Sequence, residues 1–553
     1  MGATRGGNGR SLISVTRPEL QVPSIRQGTA VTVTPRPTPP PGTAEDDTLA
    51  AFGYPQELRR RMGRYASFAA GFSFISVLTT VFQFFSLGYS FGGPLFFWTW
   101  PAVLLGQLLV AACFAELAAR LPIAGAIYQW SSRLGGPAFG WYAGWIMVIG
   151  RIVVVAAAAL ALQVVLPAIW PGFQLVGGDP SPTTTTGAAN AAVLGLALLA
   201  LTTLLNVLDN RALSAVNMVG VTAEIAGVAL IVVLLVTHAE RDPGIILQTG
   251  GEGGLITGLL VGSFTAAYVL IGFESASEMS EETVNPRRTA PRTTFSALTT
   301  SGVCGGLLLL AGLLAAPSLI DGRLATEGLG YVLTSTLGDG LGKVLLADVA
   351  LAICAATLAI QTSGTRMLYS MARDGVLPAS ARLARVPRRT GMPGTAAVVV
   401  GVLAGGLLLL NLASPQAFLA IGTTCIALVY LAYAMVTGPM LVRRLKGDWP
   451  PPADGERDEL GRPLFSLGRW GLPVNVLAVG YGLFMTVNLS WPRAEVYDPQ
   501  GGHWYFQWFT VLTVGVTVAV GAAYRWYSRG SASAVMQPGR ETEPGHVSET
   551  LRT

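Results

Sequence analysis

The sequence predicts an all-α polytopic membrane protein with twelve transmembrane helices, arranged as a five-plus-five inverted-repeat transporter with broken spans 1 and 6. Three observations predict this class. Hydrophobic residues make up 51% of the 553 residues and charged residues only 12%, against about 25% charged residues in soluble proteins. Apolar stretches of about 20 residues, enough to cross the hydrocarbon of a bilayer, recur along the chain. The first stretch of each predicted half is interrupted by small and polar residues.

The elements follow in chain order. Residues 1–57 are rich in Pro, Gly, Thr and Arg and are predicted to be a disordered cytoplasmic tail. A permease domain follows over 58–527, and a second disordered tail covers 528–553. Within the domain, the predicted repeats cover about 65–237 and 255–442, and two further spans follow them. The predicted spans are 65–91, 95–119, 138–168, 189–207, 212–237, 255–280, 294–317, 341–371, 395–412, 416–442, 470–490 and 504–527.

The distribution of basic residues predicts the orientation, because cytoplasmic loops retain Lys and Arg. One set of alternate loops is rich in arginine, and it includes Arg287, Arg288 and Arg292. The loops on the opposite side carry only Arg241, Arg323, Lys343 and Arg493. We therefore expect a multi-pass protein of the plasma membrane with both termini in the cytoplasm, in contact with membrane lipid.

Composition also excludes several functions. The net charge of +5 arises from arginine-rich loops, so no nucleic acid partner is expected. The four cysteines lie in apolar stretches without paired spacing, which indicates neither disulfides nor a metal site. The sequence has no HExxH or GxSxG motif, and its three histidines lie outside the predicted spans. We therefore expect no catalytic residues, no metal and no cofactor.

The predicted sixth span contains the most informative stretch. A glycine, an aromatic residue, an acid and a hydroxyl follow one another at Gly272, Phe273, Glu274 and Ser275. A carboxyl group near the bilayer centre costs roughly 2.5 to 3.5 kcal/mol and is normally retained for a substrate, ion or proton path. Because span 1 is also interrupted, between Phe72 and Phe82, the pair predicts a binding site at the interface of two repeats.

Three motifs accompany these breaks. Residues 115–135 read AELAARLPIAGAIYQWSSRLG, residues 272–292 read GFESASEMSEETVNPRRTAPR, and residues 365–378 read TRMLYSMARDGVLP. With these motifs the chain resembles the amino acid-polyamine-organocation superfamily, most closely its amino acid/choline permease branch, which includes γ-aminobutyrate and choline permeases. The set is specific for the superfamily and is a weak guide to the substrate.

The resemblance implies that substrate lies between broken spans 1 and 6, with spans 3, 8 and 10 behind it. It also implies that backbone N–H groups and small hydroxyls of span 1 bind the substrate carboxylate, at Ser76, Leu78, Thr79 and Thr80. The unpaired N–H groups of a half-helix N-terminus carry about half a positive charge, which attracts an anion. The branch usually has Thr-Gly where this chain has Thr79-Thr80.

Three charged residues within the spans are candidate site residues, and each has a structural alternative. Glu274 either accepts a substrate ammonium group or carries a coupling proton, or it pairs with a neighbour for structural reasons. Arg151 either binds a carboxylate of the substrate or forms an internal ion pair with Glu274 or Glu224. Glu224 either carries a proton or is that partner.

A second set of charges is predicted to form a cytoplasmic gate through ion pairs that open and close during transport. Its members lie in the three motifs, and the alternative is ordinary solvated loop charge. The set is Glu116, Arg120, Arg133, Glu281, Glu282, Arg373 and Asp374.

The function expected from these observations is that of a secondary active permease for an amino acid or a related amine, coupled to a proton. Alternatives are uptake of choline, ethanolamine or a polyamine, and exchange of one solute for another. Sodium coupling is less favoured because span 8 offers mainly Thr357 at the relevant level. A nutrient sensor or an intramembrane enzyme are further alternatives. The expected partners are a small-molecule substrate, membrane lipid and a coupling proton.

Overall fold

The computed structural model describes residues 49–182, 184–208, 210–250, 254–413, 417–450, 457, 461–497, 501 and 503–528. These residues form helices, and β pairing within them is confined to two isolated bridges, Met62 with Thr283 and Arg457 with Pro463. Most of the two predicted tails, 1–48 and 529–553, lies outside the described residues.

The α-helices, in chain order, are α1 (Arg64–Ile75), α2 (Val77–Gly92), α3 (Thr99–Arg120), α4 (Ala126–Gly135), α5 (Pro137–Leu160), α6 (Leu162–Ile169), α7 (Thr185–Leu208), α8 (Asn210–Thr237), α9 (Gly254–Val269), α10 (Ser275–Glu278), α11 (Pro286–Ala315), α12 (Gly322–Thr326), α13 (Leu329–Arg373), α14 (Ser380–Leu383), α15 (Gly394–Ala413), α16 (Ala417–Leu445), α17 (Gly471–Ser490), α18 (Ala494–Tyr497), α19 (Trp504–Gln507) and α20 (Phe509–Ser528). Short 3-10 helices occupy Gly93–Trp98, Pro171–Phe173, Pro243–Leu247, Ser280–Glu282 and Gly468–Trp470.

Nine helical ranges in the described part of the chain are long and apolar enough to cross a membrane. The first of them, Arg64–Arg120, contains both of the first two predicted spans. Two shorter apolar helices, Gly254–Val269 and Gly394–Leu410, coincide with the predicted sixth and ninth spans. The polytopic all-α class is therefore confirmed, and the count of twelve stays a prediction.

Several helices pack against the helix that comes five predicted spans later. In this way α2 packs against α9, α3 against α11, α5 against α13 and α7 against α15. Two further pairs are counterparts of each other in the two halves, because α5 packs against α16 (spans 3 and 10) and α13 packs against α8 (spans 8 and 5). This pairing is what two structurally equivalent halves would produce, so it supports the predicted repeat.

The last two long helices lie at the edge of the bundle. The most apolar window of α13 is 72% buried, whereas those of α17 and α20 are 33% and 17% buried. Helices α3, α13 and α16 finish at a common end, which we call the arginine-rich end because Arg120, Arg373 and Arg443 lie in their last turns.

One boundary needs correction. Residues 49–57 are predicted from the sequence to belong to the disordered tail, but they pack against the arginine-rich end. Leu49 is 3% exposed, and Tyr54 and Gln56 bond to other elements. The segment has no apolar periodicity, because it is held by polar side chains from helices distant in the sequence, and a pattern search along the chain does not detect such contacts.

Candidate functional site

The first break separates α1 from α2 at Ser76. This residue has a left-handed backbone, with φ 38°, and the N–H groups at the start of α2 are left without helical partners. The Leu78 N–H donates to Oε1 of Glu224 on α8 at 3.1 Å, and the Ser76 hydroxyl donates to the same oxygen at 2.9 Å. The predicted carboxylate-binding position therefore holds a carboxylate of the protein itself.

The second break follows α9 at Gly272, whose φ of +92° is readily adopted only by glycine. The space is also closed to a side chain, because a Cβ at this position would lie 1.7 Å from the ring of Phe74. The freed Gly272 N–H donates to the hydroxyl oxygen of Tyr433 on α16 at 2.9 Å. The chain resumes as α10, which carries Glu278.

A buried charge cluster lies beside the second break. The Arg151 guanidinium, on α5, donates to Glu274 and to Oε1 of Glu278, the latter at 3.1 Å. The hydroxyls of Tyr433 and Ser363 donate to Glu274 and Glu278, respectively. All three charged side chains are 0% exposed. We call Arg151, Glu274, Glu278 and Tyr433 the Arg151 cluster.

A small cavity shares one aromatic ring with this cluster. Phe74 forms part of the cavity wall, and the Arg151 guanidinium stacks 4.2 Å from the centre of the same ring. The cavity measures ≈ 10 Å³, which is room for about one water molecule, so the site is closed around it. Its lining residues are Phe74, Thr79, Thr80, Val154, Ala158, Tyr268, Ile271, Ala356 and Ile360.

Two further acids follow the second break and pair with arginines of α13. Arg373 donates through both terminal nitrogens to Glu281, each at 2.9 Å. Arg366 donates to both oxygens of Glu282, at 2.7 and 3.2 Å. The Ala124 N–H also donates to Glu281 at 3.0 Å. These pairs tie the segment after the second break to α13 and to the connection between α3 and α4.

The segment before α1 closes over these pairs. The Tyr54 ring lies 3.9 Å from the Arg373 guanidinium, and its hydroxyl donates to Asp374 at 2.9 Å. Asp374 also accepts from the Tyr128 hydroxyl at 2.8 Å. Burial, followed by the charge of Asp374, raises the pKa of Tyr54 above its usual value. We call Tyr54, Glu281, Glu282, Arg366, Arg373 and Asp374 the Glu281 network.

A family model described as "Amino acid permease" matches residues 66–516. The chain is 27% identical over 471 residues to the amino-acid permease BAT1 of Arabidopsis thaliana, covering 81% of this chain and 88% of the relative. It is 25% identical over 518 residues to the thiamine transporter thi9 of Schizosaccharomyces pombe, with 86% and 84% covered. A putative amino acid/polyamine transporter of Macrophomina phaseolina is 24% identical over 430 residues, with 74% and 90% covered.

The chain belongs to the amino acid permease family. The resemblance drawn from the three motifs is therefore confirmed. This permease is a multi-pass membrane transporter of small molecules and not an enzyme, since the family and the named relatives are permeases and transporters.

In this permease, the predicted substrate residues divide into three groups. Thr79 and Thr80 line the cavity, and Ser76 and Leu78 bind Glu224. Arg151, Gly272 and Glu274 belong to the cluster or contact it. Phe273 also contacts the cluster, because its ring packs against that of Tyr433 as well as that of Phe114. Ser275 does neither, and its hydroxyl donates to the Ala70 carbonyl.

The structure also shows which acid pairs with Arg151. Arg151 pairs with Glu274, and Glu224 bonds to the first break instead. Arg151 is also absent from the residues that line the described cavity. Its internal ion pair is thus the arrangement present in this structure.

The predicted gate residues form two groups. Glu281, Glu282, Arg373 and Asp374 belong to the Glu281 network, and Arg133 bonds Gln129, which also contacts Asp374. Glu116 and Arg120 lie elsewhere at the arginine-rich end. There Glu116 pairs with Arg444 and accepts from the Leu467 N–H, so it anchors the connection between α16 and α17.

Five participants were not selected from the sequence as site residues: Tyr54, Phe74, Glu278, Arg366 and Tyr433. For Glu278 a signal exists, because it follows Glu274 by one helical turn in GFESASE. Arg366 also interrupts the predicted eighth span. Phe74 and Tyr433 carry no comparable signal, since aromatic residues are frequent in membrane helices.

Proposed function

We propose that this permease moves amino acids or related amines across the plasma membrane by alternating access, and that transport is coupled to protons. The observation that carries the proposal is the charge balance of the Arg151 cluster, in which one guanidinium contacts two carboxyl groups. One guanidinium neutralises one carboxylate, and a further unpaired buried charge is costly. Uptake of a proton or of an ammonium group would make the trio neutral.

Phe74 provides a physical link between the cluster and the cavity. Its ring is a wall of the cavity and the stacking surface of Arg151. A change of charge at Glu274 would alter the position of Arg151, and therefore that of the ring on which it stacks. Proton uptake and substrate binding would thereby act on the same side chain.

The Glu281 network is the proposed gate on the arginine-rich side. Its ion pairs join the segment after the second break to α13, so the pairs must separate if these elements move apart. The excess of basic residues in the loops at this end supports a cytoplasmic location for it and for both termini.

A second candidate is transport of an amine that has no carboxylate. An unpaired, cationic Arg151 exposed to the cavity would count against this candidate. Arg151 is instead paired with two acids. The similarity to a thiamine transporter and to a putative amino acid/polyamine transporter also favours this candidate.

Counterflow into proteoliposomes tests the proposed function. The panel comprises glutamate, γ-aminobutyrate, neutral and basic amino acids, choline and putrescine, with and without an imposed pH gradient. We expect uptake of at least one compound, accelerated by the gradient. Glu274→Gln should abolish this acceleration, because the variant side chain has no titrating proton.

Glu327→Gln is the matched control, since Glu327 is an exposed acid between α12 and α13. It should keep both the uptake and its response to pH. A rate of counterflow that is the same with and without the pH gradient would contradict proton coupling and would indicate exchange of one solute for another. No counterflow of any compound would contradict the substrate class.

A further inference from the structure

Glu224 occupies the place at which a substrate carboxylate would bind to the first break. Its Oε1 atom accepts from the Leu78 N–H at 3.1 Å and from the Ser76 hydroxyl at 2.9 Å. These donors lie at the start of α2, whose N-terminus carries about half a positive charge. A second carboxylate at the same donors would have to displace the first.

The Glu224 carboxyl group lacks a basic partner among its described contacts. The bonds of Oε1 are to a hydroxyl and an N–H group, and Oε2 has no hydrogen-bond partner. The residue is 1% exposed, so water does not compensate for the missing partner. This differs from Glu274 and Glu278, which share Arg151. The group that best complements Glu224 is therefore a cation.

The cavity lies within reach of this carboxylate. Thr79 and Thr80 line it and belong to the first turn of α2, the turn that Glu224 caps. Thr79 also bonds the Ser76 hydroxyl at 2.6 Å, and Ser76 contacts Glu224. Phe74 and Tyr268 provide aromatic walls, which suit an ammonium group. An expanded cavity would thus have an acid and aromatic rings on the side of the first break.

We infer that Glu224 is a specificity-determining residue, which blocks the carboxylate position of the first break and selects substrates that carry an ammonium group without an α-carboxylate. The inference rests on the proposed function and narrows its substrate class. A substrate carboxylate brought beside the Glu224 carboxylate would be repelled by it and would compete with it for the same donors. A discrimination of at least about tenfold, which corresponds to ~1.4 kcal/mol, is therefore expected.

Matched pairs of compounds test this inference on the full chain in detergent. The pairs are ethanolamine with serine, ethylamine with alanine, and putrescine with ornithine, because each pair differs only in the α-carboxylate. Apparent affinities come from the rise in unfolding temperature with ligand concentration. The wild type should bind the amine of at least one pair about tenfold more tightly than the amino acid.

Glu224→Gln should reverse or abolish this preference. Glutamine keeps an oxygen that accepts from the Leu78 N–H, so the cap of α2 is retained and the charge is removed. Asp348→Asn is the control, because Asp348 is a half-buried acid on the neighbouring α13. It should leave the ratio of affinities within about twofold of the wild type, a shift of about 0.4 kcal/mol.

Each outcome decides one of the two proposals. Tighter binding of the amino acids by the wild type would overturn the inference, even if Glu224→Gln does not fold. An equal change of the ratio in Asp348→Asn would also overturn it, because a general negative potential would then explain the preference. Binding with the expected ratio but without counterflow would support the inference and contradict the proposed transport.

Discussion

The two broken spans differ in where their charges come from. In the first break, Ser76 takes the left-handed conformation, and the acid that binds the freed backbone comes from α8, a different helix. In the second break, Gly272 does so, and Glu274 and Glu278 follow in the same segment. The first break thus uses an acid without a basic partner, whereas the acids of the second are paired with Arg151.

Because of this difference, we expect the two breaks to have different roles. A break whose acids share an arginine is held in place, and it can change only when a proton or a partner changes. A break capped by an unneutralised acid attracts cations and resists anions. We therefore expect variants of the second break to affect mainly stability and coupling, and variants of the first to affect mainly selectivity.

The largest expected effect is that of Arg151→Gln. The substitution leaves Glu274 and Glu278 buried without a cation, and breaking a buried pair in this way costs about 3–5 kcal/mol. The free energy of unfolding, measured in detergent, should fall by that amount. Arg323→Gln is the control, because Arg323 pairs with Asp321 outside the spans and is 60% exposed. Equal losses of unfolding free energy in the two variants would show that the buried Arg151 cluster stabilises the fold no more than an exposed ion pair does.

Gly272→Ala tests whether the second break depends on glycine. The φ of +92° strains any L-residue, and the new Cβ would overlap the Phe74 ring. The strain alone should cost about 1–3 kcal/mol of unfolding free energy, and the overlap adds to it. Ser76→Gly replaces the left-handed residue of the first break with glycine. The backbone strain that this substitution removes should offset part of the stability lost with the hydrogen bonds of the hydroxyl. A smaller loss in Gly272→Ala than in Ser76→Gly would contradict this account of the two breaks.

Arg373→Gln tests whether the ion pair between Arg373 and Glu281 holds the gate closed. Losing a buried bond between charged groups costs about 1.5–3 kcal/mol, so the open population should rise about tenfold or more. The measurement is the rate at which a cysteine introduced at Ala356, in the cavity wall, is alkylated. Arg382→Gln, an exposed change at the same end, is the control. An unchanged rate in Arg373→Gln would exclude the Glu281 network as the closed gate.

The smallest expected effect is that of Tyr54→Phe, which removes the bond to Asp374. A neutral donor of this kind contributes about 0.5–1.5 kcal/mol, so hydrogen exchange in residues 49–63 should accelerate a few-fold. Because the pKa of Tyr54 is raised from 10.0, the docked segment holds the proton more tightly than the undocked one. The contribution is therefore complete below pH about 10 and is lost as the pH rises through the raised value.

Tyr65→Phe is the control for this pH response, because the Tyr65 side chain is 47% exposed on α1. The response should persist in that variant and disappear in Tyr54→Phe. The same response in Tyr54→Phe as in the wild type would assign it to another group.

Much of the fold was accessible from the sequence because the bilayer restricts the structural choices. A segment that crosses hydrocarbon must satisfy its own backbone, so a long apolar run is a helix and an interrupted run is a candidate cavity wall. This reasoning located the second break at Gly272 and singled out Glu274 and Arg151 as the charges to explain. Residues 49–57 were misassigned because their contacts are made by single polar side chains.

The sequence by itself determined the membrane class, the family, both broken spans and the identity of most of the buried charges. Only the tertiary structure decided which charges meet. Arg151 could pair with Glu274 or Glu224 by residue type alone, and packing of α5 beside α10 and of α8 beside the first break separated the two acids. The physical reason is that hydropathy is a property of each segment, whereas an ion pair depends on the relative rotation of two helices, which their shared packing determines.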